Sequence, residues 1–140
     1  MEIIGEAIEC YQNAPYSMDA NEATITGLLY FRRIIATAMV RLSDDITDFR
    51  RDKDRAEWMY KMAVNEKFKG FRTEGLAQEA SKKRAESASQ KEKQEWIDAE
   101  CRFEQARMVW NAARENLNAL AGDVAFLKEE YSRINYTQQK

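Results

Sequence analysis

The chain has 140 residues, 22 basic and 24 acidic side chains, a formal charge of −2 and no histidine. Without histidine there is no histidine general base and no serine or cysteine triad of the usual kind, and most zinc or di-iron ligand sets are removed. A single proline and five glycines leave long tracts free of helix breakers, which points to one all-α domain or extended helical unit, and the balance of charge excludes a uniformly basic nucleic-acid binder.

Cys10 and Cys101 form no CxxC pair. No stretch approaches the roughly 20 apolar residues of a membrane span, and Glu2 and Glu6 stand where a signal peptide carries positive charge. A soluble protein of the cytoplasm (the host cytoplasm, if phage-encoded) with free thiols is therefore expected.

Residues 1–18 read as a short N-terminal helix or arm and a loop. Ile3, Ile4, Ala7, Ile8 and Tyr11 share a helical face, and Asn13 and Pro15 favour a turn. A first long helix is expected over 19–66, with Asp19 as its cap, Glu22 completing a capping box and Met18 stapled onto Ala23. Its apolar seam runs through Leu28, Phe31, Ile35, Ala38, Leu42, Ile46, Phe49, Ala56, Tyr60 and Ala63 in steps of three and four, broken at Lys53. The outer faces mix arginines with Asp44, Asp45, Asp48, Asp52 and Asp54 at spacings that allow helical ion pairs of about 0.2 to 0.5 kcal/mol each.

Residues 67–94 change character. The apolar repeat fades, and Gly70 and Gly75 bracket the expected reversal, so the segment reads as a basic connector or hairpin tip whose composition leaves helix, loop and disorder open. Between Lys61 and Lys93 stand nine basic and five acidic residues. Lys61, Lys67, Lys69, Arg72, Lys82, Lys83 and Arg84, with Phe68 and Phe71 interleaved, combine what a single-stranded nucleic-acid platform needs: cations for phosphates and ring faces for bases at about 1 to 3 kcal/mol per stacked base. The plainer alternative is that the two rings close the hairpin end and the lysines keep it soluble.

A second long amphipathic helix is expected over 95–134, followed by a polar tail at 135–140. Its seam is Trp96, Ala99, Phe103, Ala106, Trp110, Ala113, Leu117, Leu120, Val124, Leu127, Tyr131 and Ile134. Bulky and small residues alternate in its first half, so a neighbouring helix can approach closely while aromatics fill the flanks. Two such seams predict a long antiparallel helical hairpin, or coiled coil. A lone hairpin leaves large aromatics wet, so a homo-oligomer is expected, with Trp96, Phe103, Trp110, Leu117, Leu120, Val124 and Leu127 serving helix packing and assembly.

Catalysis finds little support. The acidic groups Asp44, Asp45, Asp48, Asp52 and Glu92, Glu95, Asp98 suggest the magnesium sites of all-helical nucleotide pyrophosphohydrolases, but both are interleaved with arginine or lysine, so ion pairing explains them better. No glycine-rich phosphate loop is present. No enzyme, metal or cofactor is expected.

The order of parts resembles the UvsY-type recombination mediators of phages. A long first helix ends in a basic, aromatic-containing segment with Arg55, Lys61, Lys67, Phe68 and Lys69. A connector with Gly70 and Gly75 follows, then a final amphipathic helix with Trp110, Leu117, Leu120, Val124 and Leu127. The likeness is one of layout over 25–134, without a diagnostic motif; this chain is acidic and lacks the family's arginine- and tyrosine-rich run. The resemblance implies an oligomer that binds single-stranded DNA and helps a RecA-like recombinase displace a single-strand-binding protein, with the basic segment on the DNA and the last helix in assembly.

Two other functions fit the residues. One is an adaptor or inhibitor of the phage anti-defence type, whose helical surface takes a host or phage protein as partner. The other is a structural or chaperone-like coiled coil of the small secretion-system kind, whose turn usually carries Trp-x-Gly where this chain has Lys69-Gly70-Phe71.

Overall fold

A computed structural model describes Gly5 and residues 20–140. The expected N-terminal element at 1–18, the Asp19 cap and the Met18 staple lie outside the described residues. The described part is all-helical, with α1 at Glu22–Thr73, α2 at Gln78–Ala88 and α3 at Gln90–Gln138.

Asn21 starts α1. Its side-chain Oδ1 accepts a hydrogen bond from the Thr24 backbone N–H at 2.8 Å, satisfying one of the donors a helix start leaves unpaired, and Glu22 places a negative charge in the first turn. Both signals are in the sequence, with the cap two residues beyond the expected one.

The helix runs past its expected boundary at 66 to Thr73, so Lys67, Phe68, Lys69, Phe71 and Arg72 are helical and not part of a connector. Gly70 lies inside α1, and Gly75 ends it. Gly75 has φ +88°, which an L side chain rarely adopts. The Leu76 N–H donates to Phe71 O at 3.2 Å and the Gly75 N–H to Arg72 O at 3.1 Å, the pair of bonds that closes a Schellman C-terminus.

The rest of 67–94 is also helical apart from 74–77 and Ser89. At Ser89 the backbone leaves helical geometry (φ −107°, ψ 25°), and its hydroxyl donates to Ala85 O at 2.8 Å. A hydroxyl that bonds back to its own helix competes with the regular ladder, which suits a one-residue break between α2 and α3. α3 begins before 95 and takes in most of the expected polar tail.

The chain divides into two compact units, Met1–Asp44 with Ala106–Lys140, and Asp45–Gln105. In the first, Ile25, Leu28, Leu120, Val124 and Leu127 form a buried cluster, with Ala20, Phe31 and Tyr131 packed against it. Ile35, Met39, Leu42, Ala106 and Ala113 extend the buried set. Each fully buried aliphatic side chain contributes about 1.5 to 3 kcal/mol, so these seam residues carry most of the unit's cohesion.

In the second unit, Ser81, Ala85, Ser89, Ala99 and Phe103 are buried. Tyr60 stacks on Trp96 with ring centres 5.6 Å apart, and Lys53 lies over Phe103. Partners advance in opposite senses along the chain: Lys53 meets Phe103, Tyr60 meets Trp96, and Lys67 meets Glu92.

One sequence expectation needs correcting here. α1 includes a stretch that by length and composition is long and apolar enough to cross a membrane, where no such stretch was expected. Arg32 and Arg33, which interrupt its apolar run, hide it from a reading that looks for unbroken apolar sequence.

Candidate nucleic-acid interface

The end of α1 and the start of α2 frame an open groove of about 490 Å³ lined by Val64, Asn65, Phe68, Gln78, Glu79 and Lys82. Helical spacing places these side chains: Val64 and Phe68 stand one turn apart on α1, as do Gln78 and Lys82 on α2. Phe68 is half-buried, with the Lys82 side chain across the groove from it. Phe71 is also half-buried, three residues on.

The basic residues fall into two groups. Lys61, Lys67 and Arg72 are engaged within the chain. Lys61 Nζ bonds to Glu57 Oε1 at 2.7 Å. That hydrogen bond is the main reason the Glu57 carboxyl is held below its ordinary range, followed by the Coulombic pull of Lys61 and then of Lys53.

Lys67 Nζ donates to the Ala88 carbonyl at 2.6 Å, and Glu92 Oε1 lies 3.8 Å away. Ala88 is the last residue of α2, where carbonyls lack helical partners and the dipole favours a cation, so Lys67 caps α2 from α1. Arg72 donates to Leu76 O at 2.9 Å across the helix-ending turn. Lys67 and Arg72 hold the end of the unit together, while Lys61 is paired within α1, roles the sequence pattern did not separate from ligand binding.

Lys69, Lys82, Lys83 and Arg84 are exposed and have no ion-pair partner among the described residues. The burial of Ser81, Ala85 and Ser89 turns 82–84 outward, so three consecutive cations fan over the free side of α2.

Two features escaped the sequence. Glu92 pairs with Lys67 through 25 positions of chain, beyond any local spacing rule. Its Oε2 and the Trp96 Nε1, one turn apart, are buried without hydrogen-bond partners among the described residues. Val64 and Asn65 show no chemistry of their own in the sequence and become visible as groove walls only through the position of α2.

Of the residues expected in assembly, Phe103, Leu120, Val124 and Leu127 are buried within the chain, and Trp96, Trp110 and Leu117 are half-buried there. The α3 seam is thus largely occupied by its own chain. Among the described residues, no three Cys, Asp or Glu side chains gather as a metal site would require. Compared with protein-family models, curated proteins and solved structures, the chain matches none.

Proposed function

We propose that this is a non-enzymatic, oligomeric accessory protein of the cytoplasm that binds single-stranded DNA at the α1–α2 end, in the manner of phage-encoded recombination and replication factors. What carries the reading is the groove in which the half-buried Phe68 ring faces Lys82, beside the exposed cations Lys69, Lys83 and Arg84, which have no ion-pair partner among the described residues. Cations on the rim attract phosphates and release counterions, while a ring held by its helix offers a stacking face that loses little entropy on binding. Glu79 in the groove wall repels phosphates, so the backbone of a bound strand passes along the Lys82 side.

The same reading takes α1 and α3 as arms of an antiparallel helical hairpin. It is supported by the opposed order of partners in the second unit and by Leu28 and Leu127 sharing one buried cluster in the first.

The test is anisotropy of a labelled oligothymidylate titrated with the full chain across a salt series. Replacing Lys69, Lys82, Lys83 and Arg84 with glutamine should weaken binding at least tenfold. It should also lower the salt slope by about 2 to 3, since each phosphate neutralised on a single strand accounts for about 0.7 of that slope. Unchanged affinity in that variant, or no binding by the parent chain at low salt, overturns the proposal.

A further inference from the structure

Within the second compact unit, the outward side of α1 carries a stripe free of acidic residues. Arg51, Arg55, Trp58, Met62, Asn65 and Lys69 follow one another in steps of four, three, four, three and four, so they line up along the helix, and all six are exposed. Asp48 closes the stripe at one end, 3.5 Å from Arg51. At the other end Arg72, the next position in the same spacing, donates to the Leu76 carbonyl.

Trp58 is the unusual member. Two residues away Tyr60 is stacked on Trp96, whereas Trp58 leaves 58% of its surface to solvent and has no ring or hydrogen-bond partner among the described residues. A large amphipathic ring held out on a rigid helix offers a face to a ligand and gains nothing for the fold. Met62, one turn on, extends the apolar surface. Asn65 comes next and is itself a wall of the groove that holds Phe68, so groove and stripe form one continuous surface.

We infer that this stripe is a track along which a single strand leaves the groove, with Trp58 as a second stacking platform and Arg55 and Arg51 on the phosphates beyond it. The track presupposes the nucleic-acid reading above and adds the path of the strand and the length it needs. Phe68 and Trp58 are ten residues apart, about 15 Å along the axis at 1.5 Å per residue. That is the span of about four nucleotides at 3.4 Å each in a stacked strand. Stacking tolerates any base, and cations on either side of the ring hold the backbone.

The surrounding charges confine the strand. Asp54 and Glu66, next in sequence to Arg55 and Asn65, project about 100° round the axis from the stripe and repel phosphates that stray from it. The pair between Arg51 and Asp48 is exposed and long, so a phosphate displaces it at little cost. A second copy of the chain is a poorer occupant, because the charges of the stripe are all positive and a two-fold contact with its own image gains no ion pair.

The test uses the full chain with oligothymidylates of two and ten residues, read by anisotropy and tryptophan fluorescence, with helix content followed by circular dichroism and mass by sedimentation equilibrium. Trp58→Ala should weaken decathymidylate binding at least about fivefold, the loss of one stacked base, and leave dithymidylate, too short to reach from Phe68 to Trp58, within about twofold. Trp58→Phe keeps a ring face and should bind the decamer nearly as the parent does. It should lose most of the indole quenching that the strand causes, since the other two indoles, Trp96 and Trp110, belong to α3. Arg51→Gln/Arg55→Gln should lower the salt slope for the decamer by about 1.4, at about 0.7 per phosphate.

Equal affinity of the parent and Trp58→Ala for the decamer, or an equal loss at both lengths, overturns the track. So does a fall in the mass of DNA-free Trp58→Ala, which would assign the face to contact between copies. Decamer binding that needs Lys69 and Lys82 but neither Trp58 nor the two arginines leaves the groove standing and removes the track, whereas a parent chain that binds no oligomer removes both.

Discussion

The Lys53 ammonium lies 5.0 Å from the centre of the Phe103 ring. In sequence Lys53 is the one defect in the first seam; in the structure its aliphatic stem fills that seam position and its charge rests on the face of a buried aromatic. Long cationic side chains accommodate this arrangement because stem and head have different solvation needs.

A double-mutant cycle at this pair should show it. Lys53→Met keeps the stem and removes the charge, and Phe103→Leu keeps most of the bulk and removes the ring face. Urea unfolding of the two single variants and the double variant should give a coupling of about 0.5 to 1 kcal/mol. Strictly additive losses would mean that the two groups do not interact. Phe103→Ala, which empties a site only 8% exposed, should cost about 3 kcal/mol or more.

Lys67 and Lys69 are two residues apart and should behave oppositely. Lys67→Met removes the cation from the α2 carboxy-terminus and leaves Glu92 without its partner, so stability should fall by about 1 to 2 kcal/mol. Lys69 is exposed and has no ion-pair partner among the described residues, so Lys69→Met should change stability by less than about 0.5 kcal/mol. Parallel urea curves check this; equal losses for both would remove the capping role of Lys67.

The Glu57 carboxyl is held below its ordinary range, chiefly by the hydrogen bond from Lys61. A carboxyl whose folded value is depressed stabilises the fold fully above its unfolded value, about 4.3 for glutamate, and that contribution disappears as pH falls through the lowered folded value. The destabilisation caused by Lys61→Met should therefore be constant from pH 7 down to about the unfolded value and shrink toward zero as pH falls through the lowered folded value. Urea midpoints of the parent and variant chains across that range, with an NMR titration of the Glu57 carboxyl, measure it. A difference that grows on acidification would contradict the assignment.

Much of the helical frame was legible because it rests on local physics. The three-and-four spacing through Ile35, Leu42, Leu120, Val124 and Leu127 is a period, and period decides which side of a helix meets another. The alternation of Ala99, Ala106 and Ala113 with larger residues was read as room for a close neighbouring helix, and all three alanines are buried. The helix boundaries were less legible. The Gly75 end was visible only as one of two candidate glycines, because Gly70 and Gly75 differ in backbone geometry and not in residue type.

In the candidate site, composition alone marked the segment rich in cations and rings but did not sort its members. Lys67 and Lys69 look alike as letters. What separates them is a carbonyl 21 residues away that only folding brings within 2.6 Å of one of them.

The sequence by itself determined that the chain is helical and which stripe of each long helix turns inward, because helical periodicity and apolar burial act within a few residues. The tertiary structure decided which cations are drawn into contacts within the chain, where Phe68 finds its groove wall, and that a lysine serves as seam filler. Those outcomes depend on electrostatic and packing partners distant in sequence, and the energy of such a contact exists only once the chain has brought both sides together.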